Sequence, residues 1–224
     1  MDTRKVVAEL IGTFMFLTTG YLSVAAFRAT DPATPGLLVV PFAFGLGLLG
    51  ALFAFARISG GHFNPAVTLA MILDKRTPPV EGVGYIVAQI GGAIGAAVLV
   101  MVAVSQADVA AGETMPGPNI SDVGAFIIEV AMTMVFVLVI LVVTKRAANH
   151  ALLAIPLTLI SIHFAIASLT GSSVNPARSI GSAVVGGGDG LNSLWIYLTA
   201  PFIGAIIAWG IWQLTDGARE PAAG

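Results

Sequence analysis

The sequence predicts an all-α membrane protein with six transmembrane helices and two re-entrant half-helices, arranged as an inverted repeat. The first reason is composition, because 57% of the 224 residues are hydrophobic, only 10% are charged, and the mean hydropathy is +0.94. Such a chain cannot present a wetted surface on every side. The second reason is a set of six apolar stretches of spanning length. The third is the tripeptide Asn-Pro-Ala, which occurs twice, at residues 64–66 and 175–177.

Charge and cysteine content exclude several classes of function. The formal net charge is −2 and the isoelectric point is near 5.8, so we expect no nucleic-acid partner. The sequence has no cysteine, which excludes disulfides, thiolate metal sites and thiol nucleophiles. The N-terminus is basic and then apolar to about Phe27 without a small-residue cleavage site, so we interpret it as the first span.

The six apolar stretches have the length that a bilayer requires, since roughly 20 apolar residues cross its hydrocarbon core. An even number of spans places both termini on one side. Eight of the ten lysines and arginines then fall on that side, which predicts cytoplasmic termini and a multi-pass protein of the plasma (cell inner) membrane. The spans cover approximately residues 6–27, 37–56, 82–104, 122–144, 151–169 and 194–214, and the eight cations are Arg4, Lys5, Arg57, Lys75, Arg76, Lys145, Arg146 and Arg219.

The loop between spans three and four carries acids and no lysine or arginine, as an outside loop should. Asn119-Ile120-Ser121 in this loop is a formal glycosylation sequon, which we interpret as a chance match in a turn-rich segment. In span three, small residues predict close helix packing, namely Gly91, Gly95, Ala96 and Ala97.

Two further apolar segments are too short to span. PAVTLAMIL follows Asn64 and PARSIGSAVV follows Asn175. Each has about ten residues, or roughly 15 Å of helix, which is half the thickness of the hydrocarbon core. Asparagine followed by proline suits the N-cap and first position of a helix. The sequence therefore predicts two half-helices.

An internal repeat explains why there are two. Glu9-x-x-x-Thr13 opens span one and Glu129-x-x-x-Thr133 opens span four. Each half then continues in the same order: a second span, a loop rich in glycine or serine, the Asn-Pro-Ala motif, a half-helix and a third span. We expect halves at about 1–105 and 120–216 within one channel domain, 1–224. An odd number of spans per half places the halves in opposite orientations, with the functional site at the midplane.

At that midplane the two loops are expected to line a water-filled lumen, because non-helical backbone at membrane depth survives only in such a place or buried in protein. If Asn64 and Asn175 cap their helices through their side-chain oxygens, their amide groups remain as donors toward the lumen. The loop carbonyls would form a ladder of acceptors. The residues expected to line the lumen are Gly60, Gly61, His62, Phe63, Gly171, Ser173 and Val174, and the motifs themselves are Asn64, Pro65, Ala66, Asn175, Pro176 and Ala177.

These motifs resemble those of the aquaporin superfamily. The resemblance rests on GGHFNPAVT, SSVNPARS and the glutamate in the first span of each half, and it covers essentially the whole chain. It implies a channel rather than an enzyme, with no cofactor and no metal, and a homotetramer with one pore per subunit. The positive ends of both half-helices would point at the lumen and repel cations and protons, as is described for aquaporin-type pores.

Selectivity is expected on the outer side only. Arg178 lies one turn into the outer half-helix, where an unpaired arginine is costly enough that a functional role is the default, whereas Val67 stands at the matching position of the first half. Three more residues align with the aromatic/arginine constriction of the family, together with Arg178. They are Phe44 near the outer end of span two, His163 near the outer end of span five, and Ser172.

The alignment bears on which solute passes. In the family a histidine at the position of His163 goes with water-selective members, and Ser179 also fits them, because glycerol facilitators typically have aspartate there. Tyr197-Leu198 departs from the two adjacent aromatics of many water channels, which weakens the expected exclusion of glycerol slightly.

Glu9 and Glu129 are the other costly residues in the membrane. They are either proton-relay groups of a transporter or acceptors for backbone N–H groups of the two loops, and their symmetry favours the second interpretation. We interpret Gln89 as a buried polar bracket for a loop, and His62 as a residue that lines the pore or fixes the loop.

Other functions have fewer residues to carry them. An ion-coupled transporter with inverted repeats would need intramembrane acids beyond Glu9 and Glu129. The glycine run at 186–188 followed by Asp189 lacks a second intramembrane aspartate, so we interpret it as a flexible turn rather than a protease motif. The predicted function is a passive water channel that is driven by osmotic gradients and excludes protons and ions. A facilitator for glycerol or other small neutral solutes is the alternative, and membrane lipid is the expected surrounding.

Overall fold

The computed structural model describes residues 2–30 and 38–216, and in these residues it is all helical. Six helices are long and apolar enough to cross a membrane, which confirms the predicted spans to within a few residues at each end. Residue 37, the predicted start of span two, and Arg219 lie outside the described residues. The helices are α1 (Thr3–Thr30), α2 (Val39–Ser59), α3 (Pro65–Leu73), α4 (Pro79–Ala103), α5 (Gln106–Ala110), α6 (Asp122–Arg146), α7 (Ala148–Thr170), α8 (Pro176–Gly186) and α9 (Gly190–Asp216).

The two short helices α3 and α8 begin where the asparagines predict. Asn64 and Asn175 have extended backbone, with φ of −158° and −151°. The side-chain oxygen of Asn64 accepts from the N–H of Ala66, and that of Asn175 accepts from the N–H of Ala177 and Arg178. Each asparagine thus satisfies N–H groups that a helix start leaves without an intrahelical partner.

The halves interlock through these short helices. In the first half α1 packs against α2 and α4, and in the second α6 packs against α7 and α9. Helix α3 lies against α9 as well as α4, and α8 lies against α4 as well as α9. Each half-helix is therefore held between the last long helices of both halves.

Two glycines allow a close main-chain approach between helices, one in each half. A Cβ atom at Gly92 in α4 would lie 2.4 Å from the carbonyl oxygen of Leu10 in α1, and one at Gly204 in α9 would lie 2.5 Å from that of Val130 in α6. The glycines that the sequence singled out, Gly91 and Gly95, instead have room for ordinary contacts. Span three does pack closely through a small residue. Because of the rotation of α4, however, the residue that faces α1 most closely is Gly92.

The connection between α4 and α6, which the charge pattern predicts on the outer side and which is called the outer connection below, also differs from the loop that the sequence predicts. It contains the short helix α5, whose N-cap is Ser105. The Ser105 hydroxyl accepts from the N–H of Asp108 at 3.2 Å and also bonds the Asp108 carboxylate. Asn119 of the sequon lies in a turn, with φ of 65°.

Replacing Gly92 with alanine should destabilise the protein. The added Cβ would force α1 and α4 apart, and overpacking of this kind costs about 1–3 kcal/mol. Gly91→Ala is the matched control, because its Cβ would meet only the Leu10 Cδ1 atom, at 3.7 Å. Thermal unfolding of the purified protein in detergent should show a lower midpoint for Gly92→Ala alone. Equal midpoints in the two variants would contradict the proposed helix contact.

Candidate functional site: the pore between the two half-helices

The loops that lead into α3 and α8 repeat one unusual backbone conformation. Phe63 and Val174, the residues before the two asparagines, have φ of 48° and 44°, and Ser172 has φ of 49°. Positive φ is costly for side chains of these sizes, so other contacts must impose it. Three glycines of the same loops share the conformation, namely Gly60, Gly61 and Gly171.

Glu9 supplies those contacts in the first half. One carboxylate oxygen accepts from the Ser59 hydroxyl at 2.6 Å and from the N–H of His62 at 2.9 Å. The other accepts from the N–H of Phe63 at 2.7 Å and from the Gln89 amide at 2.7 Å. Glu9 is fully buried, and both of its oxygens have two donors each.

Glu129 makes the matching contacts in the second half. One of its oxygens accepts from the Thr170 hydroxyl at 2.7 Å and from the N–H of Ser173 at 2.9 Å. The other accepts from the N–H of Val174 at 2.8 Å. These are the contacts that the loop-holding interpretation predicts.

The two asparagines join the loops to each other. The Asn64 side-chain amide donates to the carbonyl oxygen of Val174 at 2.8 Å, and that of Asn175 donates to the carbonyl oxygen of Phe63 at 2.9 Å. The sequence predicts amide groups that point freely into the lumen. In the structure one N–H of each amide instead bonds the opposite loop, and one N–H of each remains for the pore.

Three of the loop carbonyls that were expected to face the lumen already accept a hydrogen bond from the protein. The carbonyls of Phe63 and Val174 bond the asparagines, and that of Gly171 accepts from Arg178 at 3.3 Å. Within the part of the chain that the structure describes, no hydrogen bond ends on the other loop carbonyls, which are those of Gly60, Gly61, His62, Ser172 and Ser173.

A cavity on the α3 side of the junction reaches both asparagines. One side consists of the polar loop segment 60–64, and the remaining wall is largely apolar. An apolar wall opposite a few acceptors holds water weakly enough for it to move on. The wall includes Phe16, Leu48, Val67, Met71, Phe136, Ile140, Ile155 and Leu159.

His62 lies at the edge of this cavity and is fixed on two sides. Its Nδ1 atom lies 3.1 Å from the Thr68 hydroxyl, and its ring meets the Tyr85 ring edge-on at 5.2 Å. Gln89 also donates to the Thr68 hydroxyl, at 2.9 Å. His62 therefore both lines the cavity and belongs to the network that holds the first loop.

On the α8 side, Phe44, His163 and Arg178 form a buried cluster. The Phe44 and His163 rings are stacked with centroids 4.8 Å apart, and the Arg178 guanidinium carbon lies 5.5 Å from the centre of the Phe44 ring. The His163 Nδ1 atom lies 3.0 Å from the Leu159 carbonyl oxygen. Because a carbonyl only accepts, Nδ1 is the donor, and Nε2 of the neutral ring is an acceptor.

Three buried polar atoms at this cluster lack a hydrogen-bond partner among the described residues. They are Nε2 of His163, the Ser172 hydroxyl and Nε of Arg178. Buried polar atoms are normally bonded, so these three exceptions require an explanation. They are an acceptor, a hydroxyl and a donor, and each can bond a water molecule that reaches it.

Arg178 itself is held by main-chain oxygens rather than by an acid. Its Nη1 atom donates to the carbonyl of Gly112 at 2.6 Å and to the Ser182 hydroxyl at 3.3 Å. The Tyr21 hydroxyl donates to the carbonyl of Arg178 at 2.5 Å. No carboxylate forms an ion pair with Arg178 in the described ranges. The sequence predicts neither Gly112 nor Tyr21 at this site, and only Tyr21, a polar aromatic within a span, gives any sequence signal.

Tyr197 holds the end of a helix in the second half, as Tyr85 does in the first. Its hydroxyl donates to the Thr170 carbonyl at 2.9 Å, and in the first half the Tyr85 hydroxyl donates to the Ser59 carbonyl at the same distance. Both tyrosines close the end of the helix that leads into a loop. Tyr197 is thus part of the repeated framework, which leaves Leu198 as the departure from the two adjacent aromatics.

Glu129→Gln should lower the stability of the protein, because the new amide group places a donor against backbone N–H groups that need an acceptor. A buried donor without a partner costs about 1–3 kcal/mol. Thr133→Val is the matched control one turn along α6, because the Thr133 hydroxyl has no partner in the described structure. Thermal unfolding should separate the variants. A proton-relay role predicts instead that Glu129→Gln abolishes proton flux with its midpoint unchanged.

Comparison with known proteins agrees with this architecture. Residues 1–212 match the family model described as major intrinsic protein. The chain is 43% identical over 211 residues to glycerol uptake facilitator protein-like 6 of Lactiplantibacillus plantarum, which covers 92% of this chain and 94% of that protein. It is 38% identical over 225 residues to Aquaporin Z of Rhodopseudomonas palustris, covering 96% and 94% respectively.

Among solved structures, the chain resembles the X-ray structure of the aquaglyceroporin from Plasmodium falciparum. The TM-score is 0.85 at 25% identity, with 94% of this chain and 95% of that chain covered. The match to the family model spans nearly the whole chain, and the relatives cover it to a similar extent. The chain is therefore a multi-pass membrane channel of the major intrinsic protein family, and not an enzyme.

Proposed function

We propose that this channel conducts water passively, down osmotic gradients, and excludes glycerol, ions and protons. The observation that carries the proposal is the cluster of Phe44, His163 and Arg178. The three side chains are at most 4% exposed, so they leave little free space at this level. A water molecule needs one small site, whereas a polyol needs room for several carbon atoms at once.

The polar atoms of the cluster also favour water as the permeant. Nε2 of His163 accepts, Nε of Arg178 donates and the Ser172 hydroxyl does either. A water molecule that leaves its hydration shell can regain hydrogen bonds to these atoms, so its passage is not prevented by desolvation. The stacked Phe44 ring limits the width from the remaining side.

Charge explains the exclusion of cations and protons. Arg178 brings a buried positive charge with no carboxylate paired to it in the described residues. The N-termini of α3 and α8 add about half a positive charge each, directed at the junction. A water molecule there accepts from the remaining N–H of Asn64 and Asn175, so its own hydrogens point away from the junction and a proton cannot easily pass between neighbours.

The scaffold contacts of the two glutamates favour a channel over an ion-coupled transporter. Glu9 and Glu129 each accept several hydrogen bonds from their own loop, which fixes the loops around a permanent pore. Coupled transport needs acids that can load and release an ion between two conformations.

The distribution of charge supports an inner-membrane orientation with both termini in the cytoplasm. By family resemblance we propose a homotetramer with one pore in each subunit. The two repeat halves, about 1–105 and 120–216, would form each pore within one domain.

Glycerol facilitation is the second candidate function. The name of the relative from Lactiplantibacillus plantarum favours it, and so does Leu198, which stands where many water channels have an aromatic side chain. It requires a constriction wide enough for glycerol, which the stacked rings of Phe44 and His163 oppose.

Replacing His163 with glycine should admit glycerol while water still passes. Removing the imidazole opens one side of the cluster, and an increase on the order of tenfold in glycerol permeability corresponds to a barrier lowered by about 1.4 kcal/mol. The measurement is stopped-flow light scattering of liposomes that contain the purified protein, under an impermeant osmolyte gradient and then a glycerol gradient. The parent should show fast water flux and little glycerol flux.

His150→Gly is the matched control, because His150 is exposed at the start of α7. It should behave like the parent. Comparable water and glycerol fluxes in the parent would establish the facilitator instead, and water and glycerol fluxes both no faster than in empty liposomes would contradict both candidates.

A further inference from the structure

The position of Arg178 depends on a carbonyl that no transmembrane helix holds. Its shortest hydrogen bond, 2.6 Å, goes to the carbonyl oxygen of Gly112. Gly112 lies between α5 and α6 in the outer connection. A constriction of fixed width therefore requires that this segment of the connection be fixed by other contacts.

The next residue, Glu113, makes those contacts. Its two carboxylate oxygens accept from the N–H of Gly188 at 2.9 Å and from the N–H of Gly190 at 2.8 Å. Glu113 is only 7% exposed, although it lies in an outer connection. Both oxygens thus bond the turn between α8, which carries Arg178, and α9.

The glycine run of that turn provides the room for the carboxylate. A Cβ atom would lie 2.4 Å from a Glu113 carboxylate oxygen at Gly186, 2.7 Å at Gly188 and 2.6 Å at Gly190. Each distance is shorter than a Cβ atom tolerates. From the sequence alone, this glycine run is interpreted as a flexible turn. In the structure the run instead provides the space that the Glu113 side chain occupies.

Two further contacts hold the same segment. The Thr114 hydroxyl donates to that of Ser179, the residue after Arg178, at 2.7 Å. The N–H of Gly117 donates to the Leu169 carbonyl at 2.8 Å. The connection is therefore fastened to the second half of the repeat, on the side that carries Arg178.

We propose that Glu113 is a positioning residue of the selectivity filter: its carboxylate clamps the outer connection to the α8–α9 turn and so holds the Gly112 carbonyl against Arg178. The inference rests on the proposed role of Arg178 in the constriction. Without the clamp, Gly112 withdraws, the guanidinium moves more freely, and solutes wider than water pass more often.

The test measures the ratio of glycerol to water permeability in proteoliposomes of the full chain. Once the fluxes of empty liposomes are subtracted, this ratio does not depend on how much protein is folded and inserted, so it separates positioning from a loss of stability. Glu113→Gln replaces one acceptor with a donor. We expect the ratio to rise on the order of fivefold, the population change that corresponds to one lost hydrogen bond.

Gly188→Ala tests the clamp from the opposite side. The sequence keeps Glu113, but the added Cβ displaces its carboxylate from the turn. The ratio of glycerol to water permeability should therefore rise, as it does in Glu113→Gln. Asp122→Asn removes an exposed acid near the same connection, and Gly210→Ala adds a Cβ that meets nothing within 4 Å. Both controls should keep the parental ratio.

A double-mutant cycle tests whether Glu113 acts through Arg178. In an Arg178→Ala background, Glu113→Gln should raise the ratio no further, because the group that it positions is absent. An equal further rise in that background would overturn the proposal, and so would an unchanged ratio in Glu113→Gln and Gly188→Ala.

The ratio of glycerol to water permeability of the parent protein tests the proposed function separately from the clamp. If the parent already passes glycerol freely, the same comparisons are made with erythritol, a larger polyol. A rise with erythritol in both variants then supports the clamp, and no rise overturns it.

Discussion

The structure depends on two reciprocal hydrogen bonds where the two loops meet, between the starts of α3 and α8. Asn64 donates to the last carbonyl of the second loop, and Asn175 donates to the last carbonyl of the first. Extended backbone at membrane depth has no water to satisfy it, so every N–H and carbonyl needs a protein partner or the lumen. The two bonds satisfy the loop ends and place the starts of α3 and α8 against each other. The pore is the space that remains beside this junction.

The glutamates make that junction possible. Glu9 and Glu129 come from the first long helix of each half and accept the N–H groups that precede each asparagine. They impose the positive φ of Phe63 and Val174, which turns those carbonyls toward the opposite asparagine. The strain in each loop is thus offset by a buried carboxylate.

In the proposed function, selectivity comes from the places where the symmetry is broken. Val67 and Arg178 occupy matching positions, yet only Arg178 carries charge and reaches the outer connection. The framework is repeated closely, as the paired contacts of Tyr85 and Tyr197 show. A symmetric framework with a filter on one side separates two tasks, since changes at the filter need not disturb the junction.

Much of this architecture follows from local signals in the sequence. Hydrophobic length predicts the six spans, and asparagine before proline predicts both half-helices, because capping acts within a few residues. The rest depends on how helices rotate and meet. Gly92, rather than Gly91, faces α1 because of the rotation of α4, and the bond from Arg178 to Gly112 ends on a main-chain carbonyl that has no side-chain signature.

The reciprocal asparagine bonds are tested most directly by the thermal unfolding midpoints of serine and alanine variants at Asn64 and Asn175. Serine still caps a helix but is too short to reach the opposite loop, whereas alanine does neither. The account predicts that each serine variant unfolds at a clearly lower temperature than the parent, and that the double serine variant loses less than the sum of the two losses, because the bonds form one junction. Serine variants as stable as the parent would contradict it, and would leave helix capping as the only structural role of the asparagines.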